Sequence, residues 1–199
     1  ILDRLDGDSA QYLTRMAVEL AIDARNSSGV EGVLVAGSLG PLASDYDPND
    51  VPPFETCLSD YREQVQVMVE AGVDFVLAET AAQERSARAG VVAASEAGLP
   101  VWASLLAGPD GTVASGASWG EAVETLVSAG AAAVLINCTM PDAITLSMNE
   151  LGRQNQAPVG AYGQGALPAG HGWRFEPSMT PDEYAKHAQD WVDLGARII

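Results

Sequence analysis

A recurring junction, in which a helix ends at a glycine and an apolar strand follows at once, restricts the fold of this sequence more than any other feature. Three copies read EAGVDFVLAET, SAGAAAVLINCT and DLGARII, and EAGLPVWASLLA is a looser fourth copy. Such apolar runs are typical of strands buried on both faces of a parallel sheet. Because helical patterns separate the runs and no hairpin pattern occurs, the sequence predicts an α/β fold with right-handed crossovers.

The length of the chain favours a barrel over an open sheet. Six strands are predicted, and an open doubly wound sheet would also accommodate them. However, the 199 residues fall short of the roughly 250 of a complete barrel, and the sequence stops at Ile199 inside an apolar run. We therefore expect one domain over residues 1–199, truncated at both ends: a (β/α)8 TIM barrel that lacks its first two strands and the end of its last.

Hydrophobic periodicity and capping patterns locate the elements along the chain. Helices are predicted over 8–28, 54–71, 80–97, 118–129, 141–151 and 180–194, and strands over 31–37, 74–78, 101–106, 134–136, 158–162 and 196–199. Ser118 with Glu121, Thr180 with Glu183, and Thr80 with Gln83 have the spacing of capping boxes. The segments 38–53 and 163–179 are predicted to be long loops.

Composition excludes several classes of partner. The formal net charge of −17 argues against nucleic acid and anionic membranes. No stretch approaches the ~18 apolar residues that span a bilayer. The two cysteines, Cys57 and Cys138, are far apart in sequence and show no disulfide framework, so we expect a reducing, cytoplasmic setting. Cys57 falls inside a predicted helix, beside its apolar stripe, and is interpreted as structural.

Two residues directly follow predicted strands, on the face where barrel enzymes carry their active sites. Glu79 comes after the strand 74–78, where a carboxylate could pair with a cationic group of a substrate. The ordinary interpretation is an acid beside a helix N-terminus. Thr80, next along the chain, is predicted to cap that helix.

Cys138 follows the strand 134–136, and its residue type leaves three roles open: nucleophile, metal ligand or buried filler. A nucleophilic cysteine needs a base. His171, in the loop after Tyr162, lies on the correct face, whereas His187 is predicted to face solvent from a helix. A zinc site needs at least three protein ligands, which these residues do not offer convincingly. Thr139 is predicted to cap the next helix.

Three segments together resemble the homocysteine S-methyltransferase family, and the resemblance runs along the chain in order. They are VDFVLAET at 73–80, VLINCT at 134–139 and YAKHAQDWVDLGARII at 184–199. The family has an N-terminal Asp-Gly-Gly strand, absent here, and a Gly-Gly-Cys-Cys segment that would begin just after Ile199. One departure is Tyr162-Gly163-Gln164, where many members have Tyr-Pro-Asn; it puts the shape of that loop, and with it the methyl donor, in question.

The resemblance implies a zinc ion bound by Cys138 and by two cysteines expected after Ile199, so the 199-residue piece alone is not expected to hold zinc tightly. It assigns Glu79 to the α-amino group of homocysteine and Thr80 to the wall of the pocket. Asn137 and Thr139 could orient the metal ligand through hydrogen bonds, although their ordinary structural roles are preferred.

The activity that the resemblance implies is zinc-dependent transfer of a methyl group to the thiol of homocysteine, giving methionine. The donor would be an onium compound or a methylated folate. The partners would be homocysteine and this small donor, and a homo-oligomer is allowed. Two alternatives stay open: a metal-free lyase or isomerase barrel that uses Glu79 as a base, and a non-catalytic barrel that has lost its metal.

Overall fold

The computed structural model describes residues 7–42, 46–165, 167–169, 172–174 and 179–199. Strands and helices alternate along most of the chain, as predicted. The helices are α1 Gly7–Ser28, α2 Phe54–Ala71, α3 Glu84–Glu96, α4 Trp119–Ser128, α5 Pro141–Leu151 and α6 Pro181–Asp193. The strands are β1 Ala36–Leu39, β2 Phe75–Ala81, β3 Val101–Leu105, β4 Ala133–Asn137, β5 Val159–Tyr162, β6 Leu167–Ala169 and β7 Gly172–Arg174.

Strands β1 to β5 form one parallel sheet in sequence order. This order distinguishes the two predicted architectures. In a doubly wound sheet the order in which strands are added reverses partway along the chain, whereas in a barrel each new strand lies beside the previous one. The predicted sixth strand continues the series: Ile198 pairs in parallel with Gly160 of β5. The fold is therefore α/β with the winding of a (β/α)8 barrel, and the predicted fold class is confirmed.

The core lies between the sheet and the surrounding helices. One cluster joins strand residues such as Val76 and Ile136 with helix residues such as Val65, Leu126 and Trp191, all of them at most 1% exposed. Helix α3 packs closely on β2: a Cβ built on Gly90 would lie 2.9 Å from the Cβ of Ala78. Within the described residues, no helix is long and apolar enough to cross a membrane.

Two of the four predicted helix caps are present in the structure. Ser118 and Glu121 form the predicted capping box of α4, and Thr180 and Glu183 form that of α6. The predicted cap of α5 is wrong: its N-cap is Met140, and the hydroxyl of Thr139 instead accepts the Ala107 N–H and donates to the Asn137 carbonyl. The Thr139 hydroxyl is thus used by one long-range and one local backbone hydrogen bond instead of capping the helix.

The predicted capping box of Thr80 and Gln83 is also wrong. Strand β2 continues through Glu79 and Thr80 to Ala81, and α3 starts at Glu84 without a side-chain cap. The register between β2 and β3 shifts between Ala78 and Ala81, which marks an irregularity at the end of β2.

Two further sequence predictions differ from the structure. The predicted loop 163–179 contains the antiparallel pair β6 and β7. Strand β1 begins at Ala36, later than the predicted start, and just before it the Val35 N–H donates to the Asp74 carboxylate, which also accepts from Arg25.

Helix α2 carries two buried groups, a thiol and a phenol, whose ionisation is expected to lower the stability of the fold at high pH. Cys57 is 0% exposed, which agrees with its predicted structural role, and Tyr61 donates its hydroxyl to the Gly40 carbonyl at 3.1 Å. Burial raises the pKa of the Cys57 thiol and of the Tyr61 phenol above the ordinary values of 9.0 and 10.0. The unfolded chain loses these protons near the ordinary values while the folded chain keeps them, so the stability they contribute is present below about pH 9 and falls above it.

We expect the free energy of unfolding, measured by urea titration between pH 8 and pH 11, to fall above about pH 9. The Tyr61 phenol accounts for about 1.4 kcal/mol per pH unit above pH 10. Tyr61→Phe should flatten this alkaline decline while lowering stability at pH 8 by about 1 kcal/mol, through loss of one hydrogen bond. Tyr12→Phe is the matched control, because Tyr12 is 62% exposed. Equal alkaline slopes in the two variants would refute the assignment.

Candidate functional site

The carboxyl edge of the sheet brings together the residues singled out from the sequence. Glu79 and Thr80 lie at the end of β2, and Cys138 follows β4 directly. The Thr80 hydroxyl lies 3.6 Å from the Cys138 sulfur, to which it donates. The prediction that Glu79 and Cys138 share one end of the sheet is therefore confirmed.

The carboxylate of Glu79 is held by two hydroxyl groups, one from the adjacent strand β1 and one from β5, which lies three strands away. Its Oε1 accepts from Ser38 of β1 at 2.6 Å, and its Oε2 accepts from Tyr162 of β5 at 2.7 Å. In a flat sheet β2 and β5 would lie roughly 14 Å apart, at about 4.8 Å per strand. The bond between Glu79 and Tyr162 therefore requires a strongly curved sheet, with these side chains on its concave face, as in a barrel.

Tyr162 acts as a neutral hydrogen-bond donor at this site. Burial raises the pKa of its phenol far above the ordinary value, and the adjacent Glu79 carboxylate raises that pKa further. The phenol consequently keeps its proton throughout the physiological range. Glu79, half-buried and supplied with two O–H donors, is oriented as an acceptor at the mouth of the curved sheet.

Two residues of the site adopt a backbone conformation that is rare for L-amino acids. Thr80 has φ of 62° and Cys138 has φ of 47°, and these are the only positive values at residues other than glycine in the described part of the chain. The left-handed conformation is especially unfavourable for a β-branched residue such as threonine. Strained residues of this kind cluster at functional sites and persist only where neighbouring groups hold them.

The side chain of Asn137 contacts both strained residues. Its Oδ1 accepts from the Thr80 N–H at 3.1 Å and from the Ser104 hydroxyl at 2.7 Å. Its Nδ2 donates to Thr80 Oγ1 at 2.8 Å and to Cys138 Sγ at 3.3 Å. Asn137 is 0% exposed, so these bonds replace hydrogen bonds to water entirely.

Cys138 is half-buried and opens on a pocket of about 380 Å³. The wall is mainly apolar and includes Leu106, Met140 and Pro48. At the rim, the Tyr46 hydroxyl donates to the side chain of Gln164 at 3.3 Å, which connects the loop after β1 to the segment after β5. A small molecule in this pocket would meet the sulfur of Cys138 in surroundings that favour apolar groups.

The described residues do not assemble a full set of metal ligands. No group of three or more His, Cys, Asp or Glu side chains that could hold a metal occurs in this part of the chain. His171 lies outside the described residues. His187 is half-buried on α6, with its Nε2 3.9 Å from the Asp142 carboxylate, rather than facing solvent as predicted.

Sequence reasoning missed the three hydroxyl groups of Ser38, Ser104 and Tyr162. Each lies in the carboxyl-terminal half of its strand, on β1, β3 and β5 respectively. A search for polar side chains near the ends of all the parallel strands, rather than for the charged and sulfur-bearing residues alone, would have identified them.

Comparisons with known proteins match this chain over its length. The family model described as homocysteine S-methyltransferase matches residues 2–199. The chain is 28% identical to homocysteine S-methyltransferase 1 of Arabidopsis thaliana, over 96% of this chain and 66% of that protein. It is 25% identical to selenocysteine Se-methyltransferase of Brassica oleracea var. italica, over 96% and 63% respectively. The chain thus spans just under two thirds of the length of these relatives.

A third relative and a solved structure extend the comparison. Betaine–homocysteine S-methyltransferase 1 of Xenopus laevis is 31% identical over 65% of this chain and 30% of its own length. The metallated form of the homocysteine methyltransferase MmuM from Escherichia coli superposes with a TM-score of 0.81 at 23% identity, over 99% of this chain and 67% of that one. At that identity the structural likeness supports the fold alone.

Proposed function

Because the chain belongs to the homocysteine S-methyltransferase family, we propose that the whole protein transfers a methyl group to the thiol of homocysteine, giving methionine. The observation that carries the proposal is the juxtaposition of a carboxylate and a thiol at one edge of the sheet. Glu79 and the adjacent Thr80 lie near the end of β2, and the Thr80 hydroxyl donates to the Cys138 sulfur. A site that binds an amino acid with a thiol side chain and methylates its sulfur needs both an acceptor for the ammonium group and a centre that activates the sulfur.

Glu79 would receive the α-amino group of homocysteine. An ammonium group bound to a carboxylate forms charge-assisted hydrogen bonds, about twice as strong as neutral ones. Ser38 and Tyr162 each donate one hydroxyl to Glu79, which leaves further lone pairs on the carboxylate for a substrate. These two donors orient the carboxylate before substrate arrives, so less freedom is lost on binding. Thr80 would form part of the pocket wall beside it.

Cys138 fits the role of one zinc ligand. Its sulfur is half-buried, opens on a pocket and accepts hydrogen bonds from Asn137 and Thr80, the arrangement expected around a ligating thiolate. Since a zinc site needs at least three protein ligands, we place the other two on cysteines of the whole protein that follow Ile199. When bound, zinc supplies the ionisation of the substrate thiol near neutral pH.

The reaction needs one bond to form and one to break. The sulfur of homocysteine attacks the methyl carbon of an onium compound or a methylated folate, and the donor leaves with the electron pair of its former bond to methyl. The apolar pocket beside Cys138 would receive the reacting groups and would exclude water from part of their surroundings. We propose that residues 1–199 belong to a single barrel domain. Both cysteines are free, which supports a reducing compartment such as the cytoplasm.

The test is methionine formation by the whole, zinc-loaded protein. Homocysteine is supplied with S-methylmethionine, glycine betaine or 5-methyltetrahydrofolate in separate reactions, which represent the sulfonium, quaternary ammonium and folate donors. Mass spectrometry should detect methionine with at least one donor, and chelation of zinc should abolish it. Absence of product with all three would overturn the proposal and favour a metal-free lyase or a non-catalytic barrel.

A further inference from the structure

Asn137 stands out because all the hydrogen bonds of its buried side chain converge on the site. The carboxamide contacts Thr80 twice, Cys138 once and Ser104 once. A structural asparagine at a strand end more commonly satisfies its own backbone or a neighbouring turn. Here the side chain crosses from β4 to the end of β2, between residues 57 positions apart in sequence.

The two contacted residues need a restraint of this kind. The positive φ values of Thr80 and Cys138 turn the backbone at the ends of β2 and β4, and such conformations relax unless the surroundings hold them. The carboxamide oxygen holds the Thr80 peptide, and the amide nitrogen holds the Thr80 hydroxyl and the Cys138 sulfur. One planar group thus fixes both turns in a single relative orientation.

We propose that Asn137 is a positioning residue, which aims the sulfur of Cys138 and couples it to the turn that carries Glu79 and Thr80. Its amide group donates to the sulfur and to the Thr80 hydroxyl, and its oxygen anchors the Thr80 peptide at the end of β2. The inference rests on the proposed function, because the aimed sulfur is taken to be a metal ligand. It goes beyond that function by assigning a role to a side chain that touches neither substrate nor metal.

Ser104 allows this role to be separated from simple packing. Its hydroxyl donates to Asn137 Oδ1 at 2.7 Å, and it is 0% exposed. Tyr162, which donates to Glu79, lies near both Ser104 and Cys138. Ser104→Ala would remove the hydrogen bond that anchors Asn137 Oδ1 while leaving the Asn137 amide and the Cys138 sulfur in place.

The experiment measures the zinc dissociation constant of the whole protein by competition with a fluorescent chelator, together with the thermal midpoint of the metal-free protein. Asn137→Ala should weaken zinc binding by roughly 10- to 100-fold, the usual effect of removing a group that orients a ligand. Ser104→Ala, a milder change, should weaken it by a few-fold. If Asn137→Ala fails to fold, the Ser104→Ala result alone decides the question.

Ser147→Ala is the matched control, because Ser147 is also 0% exposed but donates only within α5, to the Ala143 carbonyl. It should lower the thermal midpoint without changing the zinc dissociation constant. Zinc affinity equal to wild type in both Asn137→Ala and Ser104→Ala would overturn the inference. If Cys138→Ser binds zinc as tightly as wild type, the proposed metal site itself is wrong, which is a distinct outcome.

Discussion

Cys138→Ser is expected to abolish zinc binding and methyl transfer in the whole protein. Serine is nearly isosteric, but its hydroxyl does not ionise near neutral pH and is a poor zinc ligand compared with a thiolate. Removing groups that merely orient a zinc ligand costs about 10- to 100-fold in affinity, so removing a ligand should cost at least about 100-fold. Zinc content after dialysis against a chelator and the rate of methionine formation from homocysteine are the two measurements.

The control for this substitution is Cys57→Ser. Cys57 is 0% exposed on α2, and its thiol donates to the Pro52 carbonyl at 3.6 Å, a role that a serine hydroxyl can take over. Zinc content and activity should therefore stay near wild type, although the thermal midpoint should fall somewhat. Equal losses in the two variants would show that the effect arises from disturbed folding and that Cys138 is not the ligand.

The fold was predictable because its signals are local. Helix α2 begins and ends at the predicted residues, Phe54 and Ala71, and so does α5, at Pro141 and Leu151. A capping box involves residues only three positions apart. Each glycine junction likewise lies within one short segment, where a helix ends and the next strand begins. The sheet edge that carries the site followed from these elements, since parallel strands present their carboxyl ends on one side.

The contacts within the site were not predictable in the same way, because the partners are distant in sequence. Thr80 has the spacing of a capping box, yet its N–H and hydroxyl bond to Asn137, 57 residues further on. Tyr162 reaches Glu79 across 83 residues, and only the curvature of the sheet brings them together. Local patterns do not encode curvature, so the candidate residues could be named but their neighbours could not.

This difference has a physical consequence for the site. The groups whose contacts were unforeseen are hydroxyls and the carboxamide of Asn137, which hold Glu79, Thr80 and Cys138 rather than react themselves. A carboxylate held by two donors and a thiol held by two donors are preorganised. Preorganisation reduces the conformational entropy that is lost when a ligand binds. The effects of substitutions in the site should therefore depend on charge and direction more than on the volume of the side chain.

Glu79→Gln tests this expectation on the substrate side. Glutamine keeps the size of the side chain and one oxygen acceptor but removes the charge. A charge-assisted hydrogen bond to an ammonium group is worth on the order of 1.5–3 kcal/mol, so kcat/KM for homocysteine should fall by roughly 10- to 100-fold. Zinc should stay bound, because Glu79 is not proposed as a ligand. The thermal midpoint should change little, because the half-exposed glutamine can still accept from Ser38 or Tyr162.

The matched substrate for this test is 4-mercaptobutanoate, which is homocysteine without its amino group. Wild-type protein should use it poorly, because the carboxylate of Glu79 then has no ammonium partner. Glu79→Gln should change that low rate little, so the difference between the two thiols should shrink in the variant. If the substitution instead slows both thiols by the same factor, Glu79 does not recognise the amino group, and its bonds to Ser38 and Tyr162 serve the architecture of the curved sheet alone.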